Sequence, residues 1–114
     1  MALYKIRQGT TRPLRATLKA AGKPFDLTHA DTMTFAMRLV GAADTDPPAF
    51  SGAAEPEVGA EKRGRFVYPW DTGETDDPGM YDAMVRVVMD DGEIVDFPAE
   101  PSDFRVEITP SLLH

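Results

Sequence analysis

Hydrophobic and polar residues alternate along most of this chain with a period of two, and short runs of Gly, Pro and Asp interrupt the alternation. The clearest run sets Tyr81, Ala83, Val85, Val87 and Met89 against Asp82, Met84, Arg86 and Val88. Successive side chains of a strand point to opposite faces, so the first set predicts a core face. Thr32 to Val40 repeats the pattern, with Met33, Phe35, Met37 and Leu39 on one face and Thr32, Thr34, Ala36 and Arg38 on the other. Phe104, Val106 and Ile108 alternate with Arg105 and Glu107 in a last strand that Pro110 ends. Leu14, Ala16 and Leu18 alternate with Arg15, Thr17 and Lys19, a strand with one wet face. Weaker signals predict strands over Leu3 to Arg7, with Leu3 and one of Tyr4 or Ile6 inward, and over Glu93 to Phe97, with Ile94 and one of Val95 or Phe97 buried. Phe66, Tyr68 and Trp70 share a face of a strand over Arg65 to Trp70, where Pro69 marks an edge or the strand's end. Residues 49–58 hold Phe50 and Val58 but also Gly52, Pro56 and two glutamates, and predict one or two weak edge strands.

Between these runs lie turn signals. Gln8 to Pro13 is a polar break, Ala21 to Pro24 a turn, Gly41 to Pro48 a loop, Gly59 to Gly64 a hairpin-like turn and Pro98 to Asp103 a loop. Asp71 to Asp76 is expected to form a single helical turn, and Asp90-Asp91-Gly92 to close a hairpin. Phe25 and Leu27 read as plugs at one end of the core, beside a turn capped by Asp26 or Thr28. Ten prolines and nine glycines keep this rhythm throughout, with no stretch of ordinary helical length. The 114 residues predict one domain over 1–114. The pattern predicts an all-β, antiparallel β-sandwich of seven to eight strands, with a closed barrel as the alternative. Asp77, Gly79 and Tyr81 carry the spacing of a tyrosine corner, in which the phenol bonds back to the upstream backbone at the start of a central strand. Immunoglobulin domains place a cysteine two residues after that tyrosine. Ala83 stands there in this chain, so the expected fold is Ig-like without a disulfide.

Composition narrows the chemistry. The absence of cysteine excludes disulfides, thiolate zinc sites and a cysteine nucleophile. Twelve Lys and Arg against nineteen Asp and Glu leave a net charge of -7, which repels nucleic acid and anionic membranes. No apolar run approaches the ~18 residues of a membrane span, and the first residues predict no cleaved signal, hence synthesis in the cytoplasm. The histidines are His29, in a turn, and His114. Ser51, Ser102 and Ser111 lie in loop-like contexts without a nucleophile elbow, and the chain reads as non-enzymatic. Asp71, Glu74, Asp76 and Asp77 offer oxygens for calcium, but their spacing fits no EF-hand loop and is that of a capped turn. Asp44, Asp46, Asp90 and Asp91 read as turn residues. No resident metal or cofactor is expected. Phe66 and Tyr68 read as core, whereas Trp70, at its strand's end, leaves room for a sugar-stacking platform. Leu112 and Leu113 follow a proline on a short tail, where docking on a neighbour and packing back on the domain are both open. With Leu3 and Tyr4 they are the candidate partner contacts.

The order of segments carries a resemblance over nearly the whole chain. Arg-Gln-Gly-Thr-Thr-Arg-Pro-Leu-Arg-Ala-Thr-Leu at 7–18 is followed by Gly-Lys-Pro-Phe-Asp-Leu-Thr-His-Ala-Asp-Thr-Met-Thr-Phe-Ala-Met-Arg at 22–38. Gly-Arg-Phe-Val-Tyr-Pro-Trp at 64–70 precedes Asp-Pro-Gly-Met-Tyr-Asp-Ala at 77–83, Asp-Gly-Glu-Ile-Val-Asp-Phe-Pro at 91–98 and Phe-Arg-Val-Glu-Ile at 104–108. Together they resemble the Ig-like domain found at the N-terminus of phage baseplate upper proteins and as small stand-alone proteins of tailed phages. The family usually has an acidic residue after the first glycine, where this chain has Thr10, and the receptor-binding and trimer-forming regions of the longer proteins are missing. The resemblance implies a virion structural protein of tail, baseplate or neck, located in the virion and made in the host cytoplasm. Its implied partners are other virion proteins, and a homo-oligomer is compatible with it. The alternatives are a head-decoration protein on the major capsid protein, and a surface-displayed carbohydrate- or calcium-binding module.

Overall fold

The computed structural model describes residues 2–20, 22–41, 50–57, 59, 63–98 and 104–113. Most of the loops expected over 41–48 and 98–103, the middle of the turn at 59–64, and Asp44, Asp46, Ser102 and His114 lie outside the described residues. The chain forms β1 (Ala2–Arg7), β2 (Leu14–Thr17), β3 (Lys19–Ala20), β4 (Lys23–Pro24), β5 (Ala30–Leu39), β6 (Phe50–Pro56), β7 (Arg65–Tyr68), β8 (Gly79–Met89), β9 (Ile94–Phe97) and β10 (Phe104–Thr109). There is no α-helix among the described residues. The stretch expected as a helical turn is a pair of tight turns instead, in which Glu74 N donates to Asp71 O and Asp76 N to Gly73 O, both at 3.2 Å.

Seven strands follow one hydrogen-bonded path, β1-β10-β8-β5-β6-β7-β2, curled into a half-barrel, and β9 lies along the rest of β8. All of these pairs are antiparallel except β1 with β10, which run parallel from Ala2 opposite Phe104 to Arg7 opposite Thr109. Among the described residues no ladder joins β1 to β2, so the barrel alternative does not close. A separate two-stranded hairpin, β3 and β4, follows β2.

β8 is central because both its edges are used. β5 pairs with it from Ala30 opposite Met89 to Leu39 opposite Tyr81. On the other edge, β9 covers Val85 to Val88 and β10 covers Gly79 to Asp82. The inner face is the predicted one: Tyr81, Ala83, Val85 and Val87 on β8, Met33, Phe35 and Met37 on β5, and Phe104, Val106 and Ile108 on β10 are all buried. Phe35 is the hub, with the rings of Phe66, Tyr68, Phe50, Trp70 and Phe104 centred 4.6–6.4 Å away. Each fully buried Phe contributes roughly 1.5–3 kcal/mol over its exposed state.

The structure corrects four readings. β6 is no edge strand. Its first part pairs with β5, and Glu55 and Pro56 then pair with Val67 and Phe66 of β7, so the sheet turns through it. Its pattern is weak because it is built from small residues, and Gly52 is one by necessity. A Cβ there would lie 2.5 Å from the Tyr68 hydroxyl. Leu39 shares the parity of Met37 but is 51% exposed at the end of β5. Ile94 is 58% exposed because Val95 and Phe97 take the inward positions of β9. Leu3 is 42% exposed, on the wet face with Lys5 and Arg7, while Tyr4 and Ile6 pack on the core.

Candidate interaction surface

The corner at the start of β8 is built from Asp77, Gly79 and Tyr81. The Tyr81 hydroxyl donates to the Asp77 carbonyl at 2.8 Å, four residues upstream. Gly79 takes φ +156°, and a Cβ there would sit 3.2 Å from Leu39 Cδ2 and 3.6 Å from the Tyr81 ring. Burial, and then the charge of Asp77, push the Tyr81 phenol above its ordinary pKa. Asp77 thus serves through its backbone, and its side chain is left at an exposed position.

The acidic loop preceding the corner does not converge on a cation. Glu74 turns inward, where both carboxyl oxygens accept from the Tyr68 hydroxyl at 2.8 and 3.0 Å and Oε1 also accepts from Asp71 N at 2.8 Å. Thr75 is buried and its hydroxyl donates to Thr10 O at 2.9 Å. Among the described residues no three His, Asp or Glu side chains gather as metal ligands. The Tyr68 phenol is pushed well above its ordinary range, first by burial, then by its bond to Glu74 and the charges of Glu74 and Asp71. The Tyr68–Glu74 pair escaped sequence reasoning. A buried tyrosine demands an acceptor, but the five intervening residues hide which one.

The aromatic row lies mostly in the core. Phe66 and Tyr68 are fully buried. Trp70 is half-buried and stands edge-on to Phe35, Phe50 and Tyr68, with centroids 5.9, 5.9 and 5.3 Å away. Its indole Nε1 is buried without an acceptor among the described residues. His29 meets Asp90 at 3.4 Å at the exposed end of the β8–β9 hairpin, while Ser51 sits on β6 and Ser111 in the tail.

The four candidate contact residues separate. Tyr4 packs edge-on against Phe104, centroids 5.6 Å apart, and burial raises its phenol's pKa, so its half-buried ring is partly committed to the core. Leu3 lies on the outer face opposite Arg105. Leu112 and Leu113 are fully exposed, so they do not pack back onto the domain. The parallel pairing of β1 and β10 puts Leu3 at one end of the pair and the tail at the other, beside Arg7. The tail is moored there: Arg7 Nη1 donates to Pro110 O at 3.1 Å, Ser111 N to Gln8 Oε1 at 3.2 Å, and Leu113 N to Ser111 Oγ at 3.1 Å. Gln8 also donates from Nε2 to Asp76 O at 2.6 Å, tying the tail to the acidic loop. Nothing in a lone glutamine before a glycine signals that bridge. Comparison with protein-family models, with curated proteins and with solved structures found no match to this chain.

Proposed function

We propose that this chain is an Ig-like building block of a tailed-phage particle, a non-enzymatic assembly module of tail, baseplate or neck whose partners are other virion proteins. The observation that carries the reading is the tail. Two adjacent leucines, Leu112 and Leu113, are held out in water by three hydrogen bonds that fix the backbone beneath them. Fully exposed adjacent leucines on a moored segment are apolar surface awaiting a partner, and pre-ordering the backbone lowers the entropy that binding must overcome. Support for the Ig-like reading comes from the Tyr81–Asp77 bond, the parallel pairing of β1 with β10, and the order of sequence segments. The test is incorporation into particles with alanine at both Leu112 and Leu113. The expected result is a variant that melts like the parent and stays in the unassembled fraction. Incorporation at the parental level would remove the tail from the reading.

A further inference from the structure

The outer face of β8 and its neighbours carries a charge pattern that the strand register arranges in rows. The row through Asp82 reads Arg105, Asp82, Arg38 from β10 across β8 to β5. Two residues on, Met84 is flanked by Ala36 and then Ser51. The next row reads Asp96, Arg86, Thr34, Ala53 from β9 to β6. Within the chain Arg105 Nε meets Asp82 Oδ1 at 2.9 Å, and Arg86 meets Asp96 at 2.8 and 3.0 Å. The two ion pairs therefore sit on either side of Met84 and point in opposite directions. Met80 and Val88, both half-buried, stand one row further out at each end.

A pattern of this kind is complementary to itself. A half-turn about an axis lying in the face along the Met84 row lays β8 of one copy antiparallel over β8 of another. Each Asp82 then faces the other copy's Arg86, each Arg105 faces Asp96, Met80 faces Val88, and Met84 meets Met84. The half-turn about β8 itself fails, because it stacks Asp82 on Asp82, Arg86 on Arg86 and Arg38 on Arg105. We propose that this face pairs with the same face of a second copy, across a two-fold axis at Met84. Such isologous contacts are the usual basis of symmetric dimers.

Two further features favour a second copy as the occupant. The chain has a net charge of -7, yet on this face Arg38, Arg86 and Arg105 stand among Asp82, Asp96 and Glu107, so charge here is nearer to balance than over the chain as a whole. On the β5 side the row partners of Met84, Ala36 and Ser51, are short, so no long side chain flanks it there. The area is modest. Four strand columns about 4.8 Å apart and eight residue steps of about 3.4 Å cover roughly 500 Å² per copy, below the roughly 800 Å² per partner of a standard interface. The dimer is therefore weak, concentration-dependent and sensitive to salt.

The test is sedimentation of the whole chain over a concentration series, in low and high salt. The parent is expected to dimerise at the top of the series and to lose most of that association in high salt. Arg86→Asp sets like carboxylates against each other twice, Asp82→Arg sets like guanidinium groups against each other twice, and each alone is expected to associate roughly tenfold or more weakly. Mixed in equal amounts, the two variants meet only opposite charges and regain a heterodimer. A parent monomeric throughout, single variants that dimerise like the parent, or a mixture that stays monomeric would each overturn the proposal. Met84→Glu mixed with Met84→Lys repeats the design on the axis and leaves both intrachain ion pairs in place. Alanine at Leu112 and Leu113 leaves this dimer unchanged, which separates it from the tail-based assembly.

Discussion

The regions around Tyr81 and Tyr68 solve one problem in two ways. Each buries a phenol in the same core, and each must give its hydroxyl an acceptor. Tyr81 uses a carbonyl four residues upstream, a bond internal to the corner that starts β8. Tyr68 uses the carboxyl group of Glu74, at the far side of a two-turn loop that Gln8 and Thr75 tie to the polar break after β1. The first is a local device and needs only the right spacing. The second closes a loop that is tied to the chain after β1, so its loss is felt beyond the ring. Gly52 belongs to the second device too, because the ring crosses β6 at a distance no other residue allows.

The broadest test is alkaline titration. Tyr4, Tyr68 and Tyr81, the three tyrosines of the chain, all have pKa values raised above the ordinary value of 10.0, with burial as the first cause. A raised folded value favours the protonated phenol, so this contribution is whole below pH 10 and is lost as pH rises above it through the folded values. Tyrosinate absorbance should stay silent as pH passes 10 and appear together with unfolding. A phenol that ionises near 10 with the fold intact would break the comparison. In Glu74→Gln the resistance of Tyr68 should weaken toward that of Tyr81.

Gly52→Ala should follow in size. Its methyl group collides with the Tyr68 hydroxyl and ring, an overpacking cost of about 1–3 kcal/mol in denaturant unfolding. An unchanged midpoint would mean that the ring does not depend on that gap. The two hydroxyl deletions bracket that range. Tyr68→Phe strips a donor from a half-buried carboxyl group and should cost about 1.5–3 kcal/mol, whereas Tyr81→Phe frees one loop carbonyl and should cost about 0.5–1.5 kcal/mol. Equal losses in the two variants would show that the loop closure adds nothing to the bond.

Much of the fold was legible in the sequence because alternation is local. In β5, β8 and β10 the core-facing run is apolar at every second residue, mostly with large side chains, and a strand turns those positions to one side wherever it lies. The corner was legible for the same reason, since its three residues lie within five positions of each other. Residues 49–58 misled because β6 serves two ladders and passes under Tyr68, which selects Gly and Ala at positions where apolar bulk would announce a strand. Leu3, Leu39 and Ile94 misled because hydrophobicity alone does not say which parity faces inward in a short strand, nor where the core ends.

By itself, then, the sequence determined the strand-forming stretches, the inward faces of the long strands, the missing disulfide and the local corner. Tertiary structure alone decided that β6 turns the sheet, that Gln8 joins loop to tail, that Glu74 answers Tyr68, and that Tyr4 goes in while Leu112 and Leu113 stay out. It also decided the register that sets Arg105 beside Asp82 and Arg86 beside Asp96. The reason is the range of the forces concerned: steric alternation acts between neighbours in the chain, whereas hydrogen bonds and charge rows join residues that only the finished sheet brings within a few ångströms.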